Sequence, residues 1–120
     1  MVEKKALAKV RDSIKLVSDL IEKNLNFVNE KKLDGVEEDL WRIAAELEYA
    51  ASMISIIFGL GDFNPNVNNL DESELGGILI LIQDNIVSAL ALIDKNPREA
   101  YAGIRAAIRY TRLAQSKFEK

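Results

Sequence analysis

The chain contains no cysteine and no histidine. The first absence removes disulfides, thiolate nucleophiles and thiolate metal ligands. The second removes the imidazole general base and the usual nitrogen ligand of zinc and haem. No Walker loop, nucleophile elbow or dinucleotide fingerprint is present either: Gly59-Leu60-Gly61 follows a helical pattern and not a strand, and Gly76-Gly77 lies inside one. Chemistry would rest on carboxylates, Lys, Arg, Ser and Tyr, so the reading leans away from an enzyme. No catalytic residue, cofactor or metal ligand is assigned. The longest apolar run, Ile78 to Ile82, falls far short of the ~20 residues that span a bilayer, and no membrane association is expected. Met1-Val2-Glu3-Lys4-Lys5 has no apolar segment behind it, which argues against a signal peptide. With no disulfide framework to oxidise, the expected location is the cytoplasm.

What is present is helical. An apolar fraction of 48% with 29% charged residues is globular composition, and 120 residues suffice for one domain over residues 1–120. Leu7, Val10, Ile14, Val17, Ile21, Leu25 and Val28 recur at threes and fours, which predicts a first helix over residues 3–30. Val36, Leu40, Ile43, Leu47, Ala50, Ile54 and Ile57 form the seam of a second, widened by Ala44, Ala51 and Phe58. A third, over residues 72–95, is apolar nearly all round, with one polar strip of Asp84, Ser88, Ala91 and Lys95. The fourth, over residues 97–117, offers Tyr101, Ile104, Ile108, Thr111 and Phe118 inward.

Three helix starts share a capping logic: an Asp or Asn to accept an orphan N–H, then a Glu three residues later. They are Asp34-Gly35-Val36-Glu37, Asp71-Glu72-Ser73-Glu74 and Asn96-Pro97-Arg98-Glu99. In the last, Pro97 occupies the first helical position, where its missing N–H costs nothing. The first and third breaks are short and force antiparallel hairpins, whereas residues 59–70 form a longer connection. The expected fold is an all-α four-helix bundle made of two antiparallel helical hairpins.

Candidate sites follow from the third and fourth helices. A helix that is apolar on every side must be central or covered by a second chain. Ile78, Ile80 and Leu81 therefore mark an expected interaction surface, for a homodimer or a protein partner; the alternative cover is the 59–70 loop with Phe63 and Val67. Charge is uneven: residues 1–96 carry 10 Lys/Arg against 17 Asp/Glu, and residues 97–120 carry 6 against 2. Arg98, Arg105, Arg109 and Arg112 share one face of the fourth helix, so nucleic acid or another phosphate is the alternative partner. The plainer reading pairs these arginines with the acidic surplus of the other helices.

Small helical-bundle ribonucleases of the HEPN type set an Arg and, a few residues on, a His on a late helix. Arg105 to Tyr110 supplies the Arg and no His, so nuclease chemistry of that kind is unsupported. Asp62, Asn64, Asn66 and Asn68 have the alternate spacing of a calcium loop, but Val67 stands where the turn wants Gly and Ser73 where a bidentate Glu belongs. A structural loop is the better reading. Glu38, Arg42 and Glu46 are spaced as ordinary exposed i, i+4 pairs, and Trp41 is read as a semi-buried flank residue.

Overall fold

The computed structural model describes residues 2–61, 63–65 and 74–119. Four helices account for most of them: α1 Val2–Asn29, α2 Val36–Phe58, α3 Leu75–Leu92 and α4 Pro97–Ser116. No strand is present among the described residues. α1 packs on α2 and α3, and α4 packs on the same two helices. The bundle is thus a ring in the order α1, α2, α4, α3, with α1 diagonal to α4 and α2 diagonal to α3.

Cross-helix contacts give the directions. Ser13 meets Glu46 and Asn24 meets Asp39, so α1 and α2 are antiparallel. Arg11 pairs with Asp94 and Ser18 with Gln83, so α1 and α3 are antiparallel as well. α2 and α3 therefore run the same way across a diagonal. The C-terminus of α2 and the N-terminus of α3 lie at opposite ends of the bundle, and the connection between them is a crossover of the kind that some four-helix folds use.

The interior is rich in isoleucine: Ile14, Ile21, Ile43, Ile54, Ile78, Ile82, Ile86, Ile93 and Ile104 are fully buried, with Leu40, Leu47 and Leu79. α4 adds Ala100, Ala107 and Ala114, small residues that bring its backbone close to its neighbours. Closest of all is Gly103. A Cβ there would stand 3.1 Å from the Asn85 carbonyl oxygen, so α3 and α4 meet backbone to backbone. α3 is apolar and long enough to suit a bilayer by composition, with a mean hydropathy of 1.8 over its 18 residues. Here Ile78, Leu79, Ile82, Ile86 and Ala89 spend that character in the bundle core.

Helix ends repay comparison with the sequence. Asn96 caps α4, its side chain accepting from the Glu99 N–H at 3.3 Å with Pro97 next in line. Asp34 does not cap α2. Gly35 takes the N-cap place at φ 86°, a left-handed conformation that moves Asp34 outside the helix, and no side chain caps that end. α3 begins at Leu75, three residues later than expected, with Glu74 at its N-cap making no side-chain cap bond; Asp71, Glu72 and Ser73 lie outside the described residues. α1 closes in a Schellman turn: Lys32 N–H reaches the Phe27 carbonyl at 2.8 Å, Lys31 N–H reaches that of Val28, and Lys31 sits at φ 60°.

Candidate interaction surfaces

The ring order divides the outside of the molecule into sides. One is made by α1 and α3, the opposite one by α2 and α4.

On the α1/α3 side, the outward line of α3 carries Ile80, Asp84, Val87 and Ala91 at spacings of four, three and four. Ile80 is 51% exposed and Val87 54% exposed. Leu81, half-buried, lies about 100° round the helix from Ile80, on the side of Asn85 and α4, and Ile78 is not on this surface at all. It is fully buried in the core, because a position two residues from Ile80 lies about 200° round the helix. α3 offers apolar side chains in every direction, so spacing alone does not separate Ile78 from Ile80 and Leu81. Val87 also walls a shallow groove of about 110 Å³ with Ile14, Ile86 and Leu90, rimmed by Lys15, Ser18 and Asp19. The alternative cover is not supplied by Phe63. That ring packs on Tyr101, centroids 6.0 Å apart, at the far end of the bundle from Ile80. Val67 lies outside the described residues.

On the α2/α4 side, Glu48 of α2 is held between two arginines of α4. Arg112 Nη2 lies 3.0 Å from its Oε1 and Arg105 Nη1 3.9 Å from its Oε2. These pairs are partly open to solvent, with Arg112 65% and Arg105 39% exposed at the side chain. Pairs of that kind contribute at most about 1 kcal/mol. Arg109, one turn from each, is exposed and has no ion pair among the described residues. Arg98 stands over the Phe63 ring at 5.4 Å.

Trp41 is on this side too, and sequence reasoning misplaced it. It is 66% exposed instead of half covered. It lies seven residues before Glu48, hence on the same stripe of α2, with exposed Ala45 and Ser52 alternating along that line. Ile56, 73% exposed, continues the outward face. Arg42 makes neither expected i, i+4 pair: Glu46 instead turns toward α1, where its Oε1 accepts from the Ser13 hydroxyl at 2.9 Å.

A further trough, of about 250 Å³ between α1 and α2, is lined by Lys5, Ala6, Lys9, Tyr49 and Met53. Among the described residues no group of three or more acidic side chains is placed to hold a metal. Of the calcium-like spacing, only Asn64 falls within the described residues, and it is exposed.

The class defined by this architecture is the all-α four-helix bundle with one crossover connection. No protein-family model, no curated protein and no solved structure matches the chain.

Proposed function

We propose that this is a non-enzymatic helical-bundle interaction protein of the cytoplasm, which self-associates through the outer face of α3. One observation carries the reading. Ile80 and Val87, two turns apart on one line, each leave about half their surface in water, and Val87 continues into the apolar groove against α1. Covering them would recover on the order of 1 kcal/mol apiece, half the usual value for a large aliphatic side chain. A second copy is favoured as occupant because the rim carries both signs, Lys15 with Asp19 and Asp84. A two-fold contact sets a surface against itself, so a mixed rim can be self-complementary where a single-sign rim would repel.

Sedimentation equilibrium from micromolar to near-millimolar protein tests it. The weight-average mass should rise toward that of a dimer, and Val87→Asp should return it to the monomer. A mass that stays monomeric throughout rules out self-association, and a separate protein partner for the same face becomes the account to pursue.

A further inference from the structure

We infer that the opposite side of the bundle, formed by α2 and α4, binds single-stranded nucleic acid, with Trp41 stacking on a base and the α4 arginines holding phosphates. This does not depend on the α3 reading, which concerns other helices and another partner.

The arginines form a track. Arg98, Arg105, Arg109 and Arg112 follow one another along the outer line of α4 over ~21 Å of helix. Glu48 shares its single charge between Arg105 and Arg112, so residues 105–112 with Glu48 keep a net positive charge, and Arg109 keeps all of its own. A guanidinium has five donors in a planar fork, and the contacts with Glu48 use few of them. Glu48 acts here as a positioning residue: it holds two guanidinia at the seam with outward donors still open to a phosphate. Their weak, partly hydrated pairing is easily exchanged for a phosphate oxygen.

Trp41 supplies what a row of arginines lacks by itself. It is the only tryptophan, it stays two-thirds exposed, and it stands on the α2 stripe that abuts this track, ~10 Å along the axis from Glu48. Its neighbours one turn toward Glu48, Ala44 and Ala45, are short and leave that side of the indole open, while exposed Glu37 and Glu38 stand one turn on the other side, so the phosphates must lie toward α4. An aromatic face next to a basic track is how proteins hold single strands, because every unpaired base has a π-face to stack. A duplex would hide those faces in its base stack and leave the indole unused. An acidic protein surface would use the charges and leave the indole with no flat partner.

The test uses the full chain, a fluorescein-labelled oligouridylate and the intrinsic fluorescence of Trp41. At low salt, anisotropy should rise and unlabelled oligouridylate should quench the tryptophan, with both giving one Kd. The logarithm of affinity should fall against log salt with a slope of about −2, as for some three phosphate contacts on a single strand. Trp41→Ala should weaken binding by roughly 5- to 150-fold, the usual range for a lost stacking contact, and leave the slope unchanged. Arg109→Ala should weaken binding and flatten the slope by about 0.7. Both positions are exposed and outside the core, and circular dichroism verifies that each variant folds. No anisotropy change at low salt overturns the inference. So does binding that neither variant weakens, or a duplex of equal length bound as tightly. If poly-glutamate quenches Trp41 with equal affinity, the face is an acidic-protein site and the nucleic-acid assignment fails.

Discussion

Asn24 of α1 donates through Nδ2 to Asp39 Oδ2 of α2 at 3.0 Å, and it does so with no exposure to solvent. The same amide group also donates to the Leu20 carbonyl of its own helix at 2.7 Å, so both of its protons are used. Asp39 takes a second partner, Lys23 Nζ, at 3.1 Å. A buried amide thus ties α1 to α2 near their hairpin. It sits where the α1 stripe, read onward from Val17 and Ile21, calls for an apolar residue.

Asn24→Ala should destabilise the protein by about 1–3 kcal/mol, since it leaves a space and takes a donor from a largely buried carboxylate. A double-mutant cycle with Asp39→Ala isolates the bond. Its coupling energy should be on the order of 1 kcal/mol, and a value within ~0.3 kcal/mol of zero would show that the contact holds nothing.

Asn96→Ala should cost about 1 kcal/mol, the usual loss for an N-cap that accepts from the third helical residue. The denaturant midpoint should fall with the slope unchanged. Coincident unfolding curves for the two proteins would mean that Pro97 alone sets the start of α4.

Gly103→Leu should destabilise by about 1–3 kcal/mol or more, because the new side chain meets the Asn85 carbonyl across the α3–α4 contact and must push the helices apart. Gly103→Ala is the informative control. It gains about 1 kcal/mol of helix propensity and spends it on a Cβ held at 3.1 Å. Its midpoint should stay near wild type; a clear rise would show that the helices separate easily.

Lys31→Gly should stabilise by about 0.5–1 kcal/mol, since a left-handed residue with a Cβ is strained at the end of α1 and glycine is not. A urea midpoint that moves down would assign the turn a requirement for the lysine side chain.

Charge reversal of Arg105, Arg109 and Arg112 to Glu should leave the far-ultraviolet spectrum intact, as partly hydrated pairs contribute little to folding. The loss should stay within about 1–2 kcal/mol, the repulsion of Glu48 included. Unfolding of this triple variant would show that the seam with Glu48 is structural.

How much of this could be read beforehand depends on how local each feature is. The start of α4 was legible because its cap, its proline and its first turn are four consecutive residues. The first turn of α2 was not, although its residues looked equally suited: Gly35 has a left-handed alternative that Asp34 could not override. Trp41 and Asn24 were missed for opposite reasons. Trp41 is large and apolar yet lies off the buried stripe of α2, whereas Asn24 is polar yet lies on that of α1. Position on the helix outweighed residue type in both.

Of the candidate surfaces, the arginine row was visible from spacing alone, and so was the polar strip of Asp84, Ser88, Ala91 and Lys95. The partner of the arginines was not. Any of several acidic side chains could have faced them, and the antiparallel packing of α2 against α4 selected Glu48. The same packing put Trp41 on the arginine side.

The sequence by itself determined four helices, their approximate ends and the short turns that make two hairpins, because helical periodicity and capping act within a few residues. Only the tertiary structure decided the ring order, the parallel run of α2 and α3, and which neighbours the apolar sides of α3 meet. A helix apolar all round offers several nearly equivalent faces for burial. The choice among them rests on summed packing with three other helices, with Gly103 against Asn85 and α4 alanines against their neighbours, and no single segment encodes that sum.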